Sequence, residues 1–152
     1  MKTQAELKAE SVFRTNKKKL ISKLGNKGLY DDKIDKVGKE LFGKSWNGCH
    51  ASDKIVFKPG YQVINVDTSK MSGSHWLGIY ETAKTVYIYD SFGRYSHIFL
   101  KKLSKKITHK NLKMRDSDYD AEQRGNSEIC GQGALAWLCV VKELGIKKAI
   151  LI

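Results

Sequence analysis

The chain has 152 residues, one proline, three cysteines and a formal net charge of +12. That length lets one domain bury most of its apolar surface without disulfide support, and an odd cysteine count with no paired spacing argues against a secreted disulfide scaffold and for a reducing compartment. The start, Met1-Lys2-Thr3-Gln4-Ala5-Glu6, is too polar to read as a secretory signal, and no apolar run approaches the ~20 residues that cross a bilayer.

In chain order, residues 4 to 24 have helical character, with an interruption expected around Thr15-Asn16 and a stop at Gly25. Asp31 to Phe42 reads as a second helix carrying Ile34, Val37 and Leu41 on one face. Gly43 to Asp53 reads as a loop, and Lys58-Pro59-Gly60 as a turn ahead of a strand. Strands are expected at about 61–66, 75–81 and 85–90, with Glu81 to Lys84 as a short hairpin connection between the last two. Ser96 to Lys106 suggests another helix, with Ile98, Phe99 and Leu103 on one side. A strand near Leu112-Lys113-Met114 then leads into a loop through Gln123. From Cys130 an apolar, proline-free stretch runs to Gly145 and reads as a buried helix with a glycine stop. The expected architecture is a single α+β domain over residues 1–152. A central, mostly antiparallel sheet is packed by helices, with a basic helical part over 1–40 and the motif-bearing core after it.

Four residues along this path have the chemistry of acyl transfer. A thiol is only slightly ionised near neutral pH, so a cysteine nucleophile needs help. Cys130 at a helix N-terminus would have it from unpaired backbone N–H groups, and from His75 as an ion-pair partner and later a proton donor to the leaving amine. A histidine in that role needs an acid to fix its tautomer. The hairpin brings the start of one strand (His75) to the end of the next (Asp90), so base and acid meet. Gln123, seven residues before Cys130 across the turn-forming Arg124-Gly125-Asn126-Ser127, could donate its amide N–H to an oxyanion beside the backbone N–H of Cys130.

Three segments, Ser74-His75-Trp76, Tyr89-Asp90-Ser91-Phe92-Gly93 and Gln123-Arg-Gly-Asn-Ser-Glu-Ile-Cys130-Gly131, together resemble the adenovirus maturation proteases (adenain) and their relatives in large DNA viruses, virophages and Polinton-type elements. More distantly they are similar to the SUMO-deconjugating proteases of the same clan. The similarity spans about residues 41 to 145, and the Tyr61–Val66 stretch looks like the strand that precedes the histidine. The resemblance implies an adenain/SUMO-protease-like fold. It implies a Cys130–His75–Asp90 triad with Gln123 as oxyanion donor, and cleavage after small residues, often glycine, in viral capsid and structural polyproteins. The acid departs from adenain, which uses glutamate, and agrees with the SUMO proteases, which use aspartate. The chain has no cysteine between His75 and Cys130, where adenain links its activating peptide, so tethered peptide activation is not expected. SUMO proteases cover a narrow tunnel with a loop tryptophan, which suggests Trp46 as a substrate-binding residue. Trp76 points away from His75 on a regular strand, so packing is its first role and shielding of the site its second. A virion or infected-cell location follows from the same resemblance.

The basic excess is clustered: Lys17, Lys18, Lys19, Lys23 and Lys27 form one group, and Lys101, Lys102, Lys105, Lys106, Lys110, Lys113 and Arg115 another with no acidic residue among them. A solvated helix face is the plainer reading of such runs, but a field this one-sided suits phosphate, and non-specific DNA binding, with DNA as candidate activator, is expected. His50, His97 and His109 have no ligand spacing with Cys49, Cys130 or Cys139, so no metal site and no obligatory cofactor are expected. Cys139 and Trp137 read as core residues of the last helix. Two rivals keep their place: a ubiquitin-like deconjugase with the same chemistry, and a DNA-binding module with a relic triad.

Overall fold

The computed structural model describes residues 1–66, 75–94, 96–117 and 129–152. Helix α1 (Gln4–Leu24) starts where Thr3 Oγ1 accepts the Glu6 N–H at 3.1 Å. It ends at Gly25, whose N–H bonds the Ile21 carbonyl and whose φ of 91° turns the chain out of the helix. The interruption expected at Thr15-Asn16 does not occur. The Asn16 amide donates to the Val12 carbonyl at 2.9 Å, four residues back, so the side chain bonds along the helix without breaking it. Helix α2 (Asp31–Phe42) has the expected bounds, with Ile34, Val37, Gly38 and Phe42 buried.

The segment 43–53 is not a loop. After a 3₁₀ turn, Gly43–Ser45, it forms strand β1 (Trp46–Ala51), which pairs parallel with β2 (Gly60–Asn65). Its register shifts between Trp46 and Cys49, and the polar, half-exposed edge sequence hid the strand. Strands β3 (Trp76–Glu81) and β4 (Thr85–Tyr89) follow, then α3 (Ser96–Phe99), α4 (Lys101–His109) and β5 (Lys113–Asp116). The sheet order is β1-β2-β3-β4-β5. The central pairings β2–β3 and β3–β4 are antiparallel and both edge pairings are parallel, so the sheet is mixed rather than mostly antiparallel. The reason lies in the connections. Three residues join β3 to β4, whereas α3 and α4 carry the chain back to the level where β4 began.

Strand alternation divides the core into two layers. Val63 and Tyr89 face the layer of α1, α2 and α5 (Cys130–Leu144). Ile64, Leu77, Ile79, Val86 and Ile88 face Leu100 and the α4 residues Leu103 and Ile107. The single helix expected over 96–106 divides at Leu100, which leaves Ile98 exposed rather than in line with Leu103. Helix α5 is buried through its first twelve residues, and the sheet makes room for it at Gly78, where a Cβ would lie 3.1 Å from the Ala134 carbonyl oxygen. After Gly145 a short helix, α6 (Ile146–Ala149), closes the chain and accepts the Trp137 indole N–H at the Ala149 carbonyl (2.8 Å). Among the described residues no helix is long and apolar enough to cross a membrane.

Candidate active site

His75 sits one residue before β3, and its carbonyl accepts the Val66 N–H at 3.0 Å, which extends the β2–β3 pairing to the edge of the sheet. Asp90 sits one residue after β4. The hairpin register, Gly78 opposite Tyr89, brings the two together as the spacing predicts: His75 Nε2 meets Asp90 Oδ1 at 2.6 Å, with both side chains almost wholly buried. The Cys130 thiol is a further hydrogen-bond partner of the same imidazole.

Cys130 opens α5. The first bond inside that helix runs from the Gly133 N–H to the Ile129 carbonyl (2.9 Å), so the amides of the opening turn have no helical acceptor. Backbone N–H groups of Gly131 and Trp76 point at the sulfur. Burial pushes the thiol pKa up, but the His75 bond and these N–H donors outweigh it and leave the thiol below its ordinary value. Burial likewise opposes charge on His75 and on Asp90. The bonds from Asp90 and Cys130 nevertheless hold the imidazole above its usual range, and those from His75, Arg94 and the Phe92 N–H hold the carboxyl below its own. The other two cysteines contrast with this. Burial raises the Cys49 thiol, and it raises Cys139 to about 11.

Gln123 lies outside the described residues. Trp46 is placed away from the triad. It pairs with Tyr61, which pairs with Tyr80, five strand positions from His75, or roughly 16 Å along the sheet. Its indole donates to Asp35 Oδ1 at 2.8 Å and stacks on Phe42, so it packs β1 onto α2. Trp76 does border the site. Its indole N–H donates to the Leu29 carbonyl (2.9 Å), and its ring edge lies in the small space over Gly131 that Ile34 and Leu29 share.

Sequence reasoning missed three contributors. The linker between α1 and α2 walls the site, because Gln132 Nε2 donates to the carbonyls of Gly25 (2.8 Å) and Lys27 (3.0 Å). A buried polar residue one position past a glycine was the available signal. Arg94 Nε donates to Asp90 Oδ2 at 2.7 Å, and the Phe92 ring lies 4.6 Å from that of His75.

The basic residues fall on two sides of the sheet. Lys18 and Lys19 are exposed on α1, and Lys17 is half-buried with its ammonium over the Phe13 ring. Lys101, Lys102, Lys105, Lys106 and Lys110 are exposed on and just after α4, with Lys113 and Arg115 exposed on β5. Lys101, Lys102 and Lys106 border a groove of about 350 Å³ floored by Val66, Leu100 and Leu103. No group of three or more metal-ligating side chains occurs among the described residues. The chain matches no protein-family model and no curated protein sequence.

Proposed function

We propose that the chain is a cysteine peptidase acting through an acyl-enzyme, and that its substrates are structural proteins of a virus particle. One observation supports the chemistry above the rest: a buried His75–Asp90 pair at 2.6 Å whose imidazole also bonds a thiol at a helix N-terminus. In the proposed reaction the Cys130 thiolate attacks a peptide carbonyl, and negative charge develops on the carbonyl oxygen next to the opening turn of α5. His75, as imidazolium, gives its proton to the leaving amine while Asp90 stabilises its charge. Water, activated by the now neutral His75, attacks the thioester and releases the acid. Gln123 is proposed as a further donor to the oxyanion. The viral-maturation part, an adenain-like fold and cleavage after small residues rest on the motif resemblance of His75-Trp76, Asp90-Ser91-Phe92-Gly93 and Gln123 to Gly131.

DNA is proposed as partner and activator, supported by the outward lysines of α4. Lys17, Lys18 and Lys19 lie on the other side of the sheet, and Lys113 and Arg115 alternate with Met114, which packs toward α4, so one duplex is assigned to the α4 lysines alone. The test is digestion of a mixed peptide library, read by mass spectrometry with and without duplex DNA, beside a Cys130→Ala control. Cuts after small residues that vanish in the control are expected. Cleavage confined to fusions at a ubiquitin-like Gly-Gly terminus would replace the maturation reading with deconjugation, and no cleavage of either would count against a peptidase.

A further inference from the structure

The triad acid has a second cationic partner that the reaction above leaves unused. Asp90 Oδ1 accepts from His75 Nε2 (2.6 Å) and from the Phe92 N–H (3.0 Å), while Oδ2 accepts from Arg94 Nε at 2.7 Å. The Asp90 side chain is 2% exposed and that of Arg94 43%. Phe92 lies between the two cations, its ring 4.6 Å from the His75 ring and 5.4 Å from the guanidinium carbon. Gly93, at φ 66°, turns the chain so that its N–H bonds the Asp90 carbonyl (2.8 Å) and Arg94 comes back over the carboxylate. Among the described residues, the charged groups facing His75 and Asp90 are thus Cys130 from α5 and Arg94 from this turn. The nearest carboxylate on β5, Asp116, is bonded by the Ser96 N–H and hydroxyl.

We infer that Arg94 is a positioning residue whose guanidinium keeps Asp90 an anion through both protonation states of His75, so that the imidazole alone carries the proton between thiol and leaving amine. The functional part rests on the peptidase reading. In the resting ion pair the charges alternate along one line, thiolate, imidazolium, carboxylate, guanidinium, and sum to zero in a site nearly closed to water. Once His75 has handed its proton on, Arg94 is, among the described residues, the cation left beside a buried carboxylate. Without it, burial would favour a proton on Asp90, and the unbalanced carboxylate would hold the imidazolium more tightly. Both changes push the titration of the coupled pair upward.

The test is a ¹H–¹⁵N titration of His75 in the full chain, wild type against Arg94→Gln and Arg94→Lys, run beside the pH profile of kcat/KM on a cleaved peptide. In Arg94→Gln the His75 titration is expected to rise by about one pH unit. The alkaline limb should rise with it, and kcat should fall about ten- to a hundredfold with little change in KM. Arg94→Lys should restore the titration but only part of kcat, because an ammonium lacks the planar Nε geometry. If Arg94→Gln does not fold, Arg94→Met, which keeps the stem over Phe92, carries the same expectation. A folded Arg94→Gln or Arg94→Met variant with the wild-type His75 titration would overturn the inference. A wild-type chain that cuts no peptide would sink the peptidase reading while the titration, which needs no substrate, still decides the role of Arg94.

Discussion

On one face of the sheet α5 is buried through its first twelve residues and its backbone lies against Gly78, while on the other α4 buries Leu103 and Ile107 and turns Lys101, Lys102, Lys105 and Lys106 outward. The α5 side gathers small residues, Gly131, Gly133, Ala134 and Ala136, and lets backbone meet backbone. The α4 side uses branched aliphatics that set depth but tolerate sliding. A close-packed helix fixes its first turn to within fractions of an ångström, which an ion pair between Cys130 and His75 demands. An amphipathic helix needs only an apolar stripe, and its outer face can hold any charge the partner selects.

The comparison breaks most visibly at Cys130. Cys130→Ala should lower peptide turnover by at least about 10⁴-fold with an unchanged melting profile, measured by single-turnover cleavage and circular dichroism. Leu103→Ala should cost about 2–5 kcal/mol in urea unfolding yet leave turnover per folded molecule as it was. Gly78→Ala is the sharper counterpart. Its Cβ would press on the Ala134 carbonyl oxygen, a backbone atom that cannot rotate away, and an overpacking cost of about 1–3 kcal/mol should come with lost turnover. Equal activity losses in the two variants would erase the distinction between the layers.

The buried pair adds a pH signature. Folding lowers Asp90 from 3.8, so its stabilisation is present above that value and is lost as pH falls through the folded pKa. Folding raises His75 from 6.5, so its stabilisation is whole below that value and is lost as pH climbs through the folded pKa. The pair's own contribution to the unfolding free energy should therefore be whole between these limits and fall on both sides. His75→Ala should remove the alkaline decline. The smallest effect on folding belongs to the outer face of α4. Lys102→Glu with Lys105→Glu should change stability by less than about 0.5 kcal/mol while weakening DNA binding and its salt dependence, read by fluorescence anisotropy across a salt series.

Periodicity made much of this legible. Helix α2 and the β3–β4 hairpin follow from apolar spacing and short connections, and the hairpin alone predicts that His75 and Asp90 meet. Strand β1 escaped because Asn47, Gly48 and His50 carry no alternating apolar signal and the strand is held by pairing with β2. The parallel edges escaped because orientation is decided by where a crossover returns the chain. At the site, Cys130 and His75 announce themselves by residue type, whereas Arg94 does not: an exposed-looking arginine four residues past an aspartate gains meaning only when Gly93 turns it back. Trp46 misled for the opposite reason, since a tryptophan in a glycine-rich stretch looks like a loop residue until Gly38 is seen to make room for its ring.

The central claim is that one thiol of three is held as a reactive anion by His75. Brief treatment with limiting iodoacetamide at pH 6, followed by site-resolved mass spectrometry, tests it directly. Alkylation is expected at Cys130, sharply reduced by His75→Ala, with Cys49 and Cys139 unmodified. Labelling of Cys130 no faster than that of Cys49, or labelling indifferent to His75, would contradict it.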